Sequence, residues 1–252
     1  MSGSLSLVAT PIGNLDDLTI RAGKVLADCD LVAAEDTRRA GILMKHLGLS
    51  KPLSAYHMHN EHSKTAWLLD QVESGKKVAL VCDAGTPAIA DPGFFVVREA
   101  IKRGIEPIVI PGVSSLTFAA VASGLPVDAF SFVGFLPVKS GRRRKTLEKW
   151  RDVGVTTFIF ESPHRIAKLL GEIAEVCGAD TPVAVIREAT KIFEEVIRGP
   201  AGELAAAGKT RKWLGEIVVG VDMRSAGGVS IIADEDDGDE TPEISESPES
   251  QD

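Results

Sequence analysis

Lys77-Val78-Ala79-Leu80-Val81-Cys82-Asp83-Ala84-Gly85-Thr86-Pro87-Ala88-Ile89-Ala90-Asp91-Pro92-Gly93 decides the fold. Val78–Val81 is a short unbroken apolar run, the pattern of a strand buried on both faces of a parallel sheet. Asp83–Pro87 cannot extend that strand, because Gly85 admits backbone angles closed to other residues and Pro87 fixes a bend and lacks an N–H. Pro92 adds a second bend. A turn at the carboxyl end of a buried strand is where open α/β sheets place their ligands. A lone G-x-P would be only a tight strand-to-helix loop; two prolines, two glycines and two aspartates in twelve residues point to a site.

The same alternation of short apolar runs and helical stretches continues on both sides. Leu5–Ala9 and Leu31–Ala34 read as strands, as do Pro107–Ile110, Phe130–Phe135, Thr156–Phe160, Val183–Ile186 and Gly215–Val221. Pro107–Ile110 is expected to be buried. Helices are expected over Leu18–Leu26 with Asp16 or Asp17 as cap, around Lys64–Val72, over Phe94–Arg103, and over Leu116–Ala122 with Ser114 or Ser115 as cap. Ser162 and Pro163 have the chemistry of an N-cap and first helical position. Strands alternating with helices imply α/β sheets. The 252 residues suit two units of about 100 residues each: an N-terminal domain over 1–124, a C-terminal domain over 125–224, and a tail over 225–252. A cleft between two such units is the default ligand site.

The formal net charge of −8 belongs to the tail. Ala226–Asp252 holds ten acids and no Lys or Arg, which leaves 26 acids against 28 bases in the rest. The body of the chain is therefore near +2 and compatible with an RNA partner. The tail, rich in Ser, Pro and Glu, cannot bury enough apolar surface to fold and is expected to be disordered. No apolar run approaches the roughly 20 residues of a membrane span, and the start of the chain lacks a basic signal-peptide region. Cys29, Cys82 and Cys177 show no C-x-x-C spacing, which argues against zinc and fits a reducing cytoplasm. His57-Met58-His59-Asn60 offers H-x-H without a supporting acid or thiol cluster, so no metal is expected there.

Several loops carry chemistry. No G-x-G-x-x-G follows the first strand, where Thr10-Pro11-Ile12-Gly13-Asn14-Leu15 stands instead; this counts against an ordinary dinucleotide-binding sheet. Glu35-Asp36-Thr37-Arg38 places two acids and a base at a strand's carboxyl end, where Asp36 or Thr37 would also serve as a helix cap. Lys139–Lys145 brings five bases into seven residues, the largest charge cluster of the body and its natural phosphate contact.

Taken together, these segments resemble the tetrapyrrole methylase superfamily, in its branch of bacterial 16S rRNA cytidine-2′-O-methyltransferases. CDAGTPAIADPG is similar to that branch's S-D-A-G-x-P-x-I-S-D-P-G, with Cys82 and Ala90 standing where hydroxyl residues are usual. ATPIGNL, EDTR, H-x-H-N-E, PGVS (with Val113 in place of a common Pro), GFLP, ESPHR and the R-E-x-T-K…E-E-x-x-R-G set at Arg187–Gly199 match in order, so the resemblance covers residues 5–222. It implies a two-domain tetrapyrrole-methylase-like α/β fold, with a mostly parallel N-terminal sheet, a mixed C-terminal sheet and the active cleft between them. S-adenosylmethionine is the implied methyl donor, held by Pro11, by Asp83, Ala84, Gly85, Thr86 and Pro87, and by Ser114 and Ser115. The implied acceptor is the ribose 2′-OH of a decoding-region cytidine in 16S rRNA of the small ribosomal subunit, met by His57, His59, Asn60, Arg142, Arg143, Arg144, His164, Arg165, Arg187 and Lys191. A ribose hydroxyl profits from a nearby base. Glu35 and Asp36 are the candidates, with Arg38 orienting them or the phosphate and Glu188 as second choice. The K-D-K-E set of other 2′-O-methyltransferases is not evident as a local motif. The resemblance also implies a cytoplasmic homodimer. A precorrin-type small-molecule methylase and a non-catalytic RNA-binding module on the same fold are the rival readings.

Overall fold

The computed structural model describes residues 3–226. Among these residues ten strands form two five-stranded sheets, accompanied by eight α-helices. The first holds β1 (Ser4–Val8), β2 (Leu31–Ala34), β3 (Leu53–Ala55), β4 (Lys77–Val81) and β5 (Ile108–Ile110) in the order β3-β2-β4-β1-β5, all parallel. Every residue of Val78–Val81 is buried. Val78 and Leu80 face the core formed with α3 (Glu61–Glu73) and α4 (Phe94–Lys102), while Ala79 and Val81 face the one formed with α1 (Ile20–Asp28) and α2 (Thr37–His46). The unbroken apolar run thus reflects helices on both faces.

The second sheet takes β6 (Phe130–Phe135), β7 (Thr156–Glu161), β8 (Pro182–Arg187), β9 (Glu195–Pro200) and β10 (Ile217–Asp222) in the order β6-β7-β10-β8-β9. β6 and β7 run parallel and the remaining pairs antiparallel, so the sheet is mixed as expected. One face is covered by α6 (Ser140–Val153), α7 (Ile166–Cys177) and α8 (Ala201–Thr210), burying Leu147, Leu169 and Ile173 among others. The other face receives α5 (Ser115–Ser123), whose Ala119 and Ala120 pack on Phe158, Ala184 and Val218. A helix that precedes residue 124 therefore packs with the second sheet. Arg198 of β9 fastens it, donating to the carbonyls of Ser123 (3.0 Å) and Ala122. A cation on the last carbonyls of a helix also suits its dipole.

Four local expectations are corrected. β5 is not buried as expected but is an edge strand with a neighbour on one side only, and its Ile108 and Val109 are 46% and 58% exposed. α1 begins at Ile20 with Thr19 as cap, accepting from Ala22 N at 3.1 Å; Asn14, not an aspartate, caps a short 3-10 turn before it. α7 begins three residues beyond Pro163, and Ser162–Arg165 form a turn closed by the Ser162 carbonyl. Ser114 stands at the N-cap of α5, but neither its hydroxyl nor that of Ser115 makes the capping bond. Strand β9 has no counterpart among the strands expected from sequence; it is an edge strand, none of whose residues is fully buried. The acidic tail lies outside the described residues, apart from Ser225 and Ala226, which end a 3-10 turn at Met223–Ala226. No helix among the described residues is long and apolar enough to cross a membrane.

Candidate active site

β1 and β4 are neighbours, yet the chain leaves them toward opposite sides of the sheet. A crevice at such a switch point is the usual place for a ligand. The loops after these strands are joined there. Thr10 and Gly85 exchange backbone hydrogen bonds of 2.8 and 3.0 Å, and the Thr10 hydroxyl donates to the Cys82 carbonyl at 3.3 Å. Gly85 sits at φ +81°, the conformation its lack of a Cβ permits. Beyond it, Ala88 and Ala90 are held at φ +71° and +60°. Non-glycine residues in that region are strained, and such strain persists only where the surroundings enforce it. The Cys82 thiol donates to the Ala84 carbonyl at 3.3 Å, and burial pushes its pKa up, so it serves as a packed donor and not as a nucleophile.

A cavity of about 410 Å³ opens on this crevice, within the range of small-ligand sites. Its walls come from both sheets. Ile12, Glu35, Arg39, Asp83, Ala84, Ala90 and Asp91 belong to the first; Ser115 of α5, Phe135 and Phe160, Glu161–Pro163, Ala189 and Gly215–Val218 belong to the second.

Five carboxylates line it: Glu35, Asp83, Asp91, Glu161 and Glu216, of which Glu161 is paired with Arg165 and Asp83 with Arg39. Burial first, and then the charge of Asp83, raises the pKa of Glu35. Burial and the charge of Glu35 push Asp91 up to about 6. Such a lining favours a cationic ligand, which would relieve the mutual repulsion of the acids. Among the described residues no His, Cys, Asp or Glu group has the arrangement of a metal site.

The predicted residues divide clearly. Glu35, Asp83, Ala84 and Ser115 line the cavity, whereas Pro11, Gly85, Thr86, Pro87 and Ser114 do not. Asp36 and Glu35 are neighbours with opposite fates. Asp36 caps α2, accepting from Arg38 N at 2.8 Å, and is bridged by the Arg38 guanidinium, which holds its pKa down at about 2. Arg38 points to solvent. Glu188 is clasped: it accepts from Lys191 Nζ at 2.8 Å and from Glu216 N at 2.9 Å, beneath Gly215. Lys191 also reaches Glu216 at 3.0 Å and lies over Gly13, where a Cβ would collide with its Cγ. The 188–191 loop, with Glu188 and Thr190 at φ +51° and +65°, thereby joins the two halves across the cleft.

Asn60 accepts from His57 N at 2.8 Å and donates to the Ala55 carbonyl, so it shapes the turn that presents His57 near Glu35; His59 is exposed. His164 is exposed, while Arg165 turns inward to Glu161 and to the Leu136 carbonyl (2.9 Å). Arg187 pairs with Glu195 at 3.2 Å. The basic cluster requires a correction. Arg143 is 1% exposed, pairs with Glu172 and donates to the Val138 carbonyl at 3.2 Å, so it is a core residue and not a phosphate contact. Arg144 pairs with Glu175. Lys139, Arg142 and Lys145 remain exposed and make no ion pair among the described residues. Sequence reasoning passed over Arg39, Asp91, Phe135, Phe160 and Glu216 as site residues. Asp91 and Phe135 stood inside motifs already marked, but nothing in their spacing says which member of a motif faces the cleft.

Comparison with known proteins agrees with this architecture. The family described as Tetrapyrrole (Corrin/Porphyrin) Methylases matches residues 4–205. A Mesorhizobium japonicum protein named Ribosomal RNA small subunit methyltransferase I is 48% identical over 219 residues, spanning 86% of this chain and 74% of that protein. One of the same name from Thermotoga maritima is 44% identical over 219 residues, 86% of this chain and 97% of that protein. Among solved structures, the uroporphyrin-III-C-methyltransferase of Thermus thermophilus aligns with a TM-score of 0.61 at 21% identity, covering 89% of this chain and 96% of that one. The methyltransferase CobJ aligns with a TM-score of 0.67 at 17% identity, covering 87% and 94%. At such identities these structures share the fold.

Proposed function

Since this chain belongs to the tetrapyrrole methylase family and is an S-adenosylmethionine-dependent methyltransferase, we propose that its acceptor is small-subunit ribosomal RNA. Within it, the acceptor atom is the ribose 2′-OH of a cytidine in the decoding region of 16S rRNA. The observation that carries the site assignment is the carboxylate-lined cavity at the β1/β4 switch point, closed by residues of both sheets. Its acids suit a sulfonium cation, and its strained main-chain loop supplies polar backbone groups at close range. The names of relatives 42–48% identical support the acceptor, as do Lys139, Arg142 and Lys145, which are exposed and make no ion pair among the described residues.

The donor supplies an activated methyl group. The chain's own residues supply placement, which is worth many kcal/mol in a two-reactant transfer. Glu35 is the proton acceptor for the ribose hydroxyl: it lines the cavity, and its raised pKa marks a stronger base than a solvated carboxylate. Asp36, fixed at the helix cap, and Glu188, fixed under Lys191, position the loops that carry Glu35 and Glu216. A polycarboxylate tetrapyrrole would meet five carboxylates in this cavity, which disfavours that acceptor. The enzyme acts in the cytoplasm as a homodimer, a state to which the exposed Ile108 and Val109 edge lends apolar surface.

The test incubates the protein with tritiated S-adenosylmethionine and either small ribosomal subunits or a precorrin. Label on the ribose of one cytidine, mapped by mass spectrometry, is the expected result. Label on the tetrapyrrole, or on neither, overturns the acceptor assignment.

A further inference from the structure

Strand β6 contains an irregularity. Phe132 is paired with Phe158 on β7, and Phe135 with Phe160, so three steps along β6 face two along β7. The extra residue is a β-bulge, and Gly134 within it takes φ +62°. Nothing lies within 4 Å of a Cβ built on Gly134, so glycine is required there for its backbone angle and not for room.

The consequence is directional. In an unbroken strand successive side chains alternate faces, and residue 134 would stand opposite Phe160, with Phe135 on the α6–α8 side. The bulge returns Phe135 to the cavity side, the re-aiming for which bulges are known near active sites. There Phe135 contacts Phe160 edge-on, with ring centroids 5.7 Å apart, and Phe160 in turn meets Phe132 at 4.7 Å. The lower ring is thus locked by its neighbours, whereas Phe135 is 60% exposed at the cavity rim. Four residues beyond it begin the exposed cations Lys139, Arg142 and Lys145.

We propose that Phe135 is the stacking platform for the nucleobase of the acceptor nucleotide, turned out of the RNA so that its ribose enters the cavity. The inference rests on the RNA reading of the acceptor. An aromatic plane beside cationic side chains is the usual means of holding an unstacked base while its backbone is gripped. Enzymes that act on one nucleotide of a folded nucleic acid can turn it out of the stack, and a flat apolar surface at the rim offsets the lost stacking. Phe135 does not touch the reacting atoms; it is a positioning residue.

Phe135→Ala, Phe135→Leu and Phe135→Trp are compared with wild type for transfer to small ribosomal subunits, with donor affinity measured by calorimetry. Phe135→Ala and Phe135→Leu are expected to lower kcat/KM for the subunit by about 5- to 150-fold, the loss found when a base-stacking aromatic is removed. Phe135→Trp restores it, and the donor Kd stays at the wild-type value for all three. Since the ring is exposed, thermal melts should coincide. Unchanged kcat/KM in Phe135→Ala overturns the platform while leaving the RNA reading intact. A donor Kd weakened in parallel with kcat/KM overturns it differently, by assigning the ring to the donor's adenine. Absence of wild-type transfer to the subunit removes the RNA reading, and the platform with it.

Discussion

Asp83 Oδ1 accepts the backbone N–H of Asp36 at 3.0 Å, across 47 residues of sequence. The bond ties the loop after β4 to the loop after β2 and sets Glu35 and Asp83 on one wall of the cavity. Asp83→Ala leaves that N–H without its acceptor and is expected to cost about 1–3 kcal/mol in chemical denaturation. Asp83→Asn keeps an acceptor oxygen and should recover most of the stability, while still weakening donor binding through the lost charge. Equal stability of the two variants would show that the bond does not hold the loop.

Glu35 and Asp36 separate by experiment. Glu35→Gln preserves shape and removes the base, so transfer should fall by roughly 10²–10⁴-fold with a much smaller change in donor Kd. Asp36→Asn keeps a side-chain oxygen for the helix cap and should leave transfer close to wild type, with a small fall in melting temperature. Reversal of this order in single-turnover assays would move the base to Asp36.

The contrast between those two neighbours shows what the sequence could and could not disclose. EDTR located the loop, but which acid faces the cleft depends on what caps α2, and Asp36 and Thr37 both have side chains suited to that cap. Val78–Val81 was legible because burial on both faces leaves an unbroken apolar run. The place of α5 was not. Its apolar residues run nearly all round the helix, so periodicity gives no sheet to assign it to, and only the fit of Ala119 and Ala120 on Phe158 decides. Phe135 was hidden for a different reason: its direction is set by one extra residue in β6, and a bulge has no signal in composition.

Arg142 and Arg143 are adjacent in sequence, yet they should respond to substitution in opposite ways. Arg143 and Glu172 are almost wholly buried, with 2% and 4% of their side chains exposed, and Ser140 donates to Glu172 at 2.6 Å. Removing one member of such a pair strands the other charge, so Arg143→Ala is expected to destabilise the fold by about 3–5 kcal/mol. Replacing both together, as Arg143→Met with Glu172→Leu, should recover much of that loss. Arg142→Ala should leave the melting temperature unchanged, weaken binding to the ribosomal subunit, and reduce the slope of log K against log salt by about one. Arg143→Ala with wild-type stability would contradict the burial seen here.

Asp91 gives the pH dependence its sign. Its carboxyl is pushed up to about 6 by burial and by the charge of Glu35, above the ordinary value near 3.8 that it regains on unfolding. The folded, ligand-free protein therefore binds this proton more tightly than the unfolded chain. The associated stability is present below about pH 4 and is lost as pH rises through about 6. Asp91→Asn should remove that part of the slope in melts across the interval. A sulfonium cation in the cavity favours the ionised carboxyl, so donor binding should release protons near pH 5 to 6, a range fixed by the same carboxyl. S-adenosylhomocysteine lacks the positive sulfur, so its affinity should rise less over the same interval. The ratio of donor to product affinity, measured by calorimetry in buffers of different ionisation heat, should thus increase toward neutral pH in wild type. It should flatten in Asp91→Asn, and a ratio independent of pH in wild type would place the sulfonium away from the Glu35–Asp91 wall.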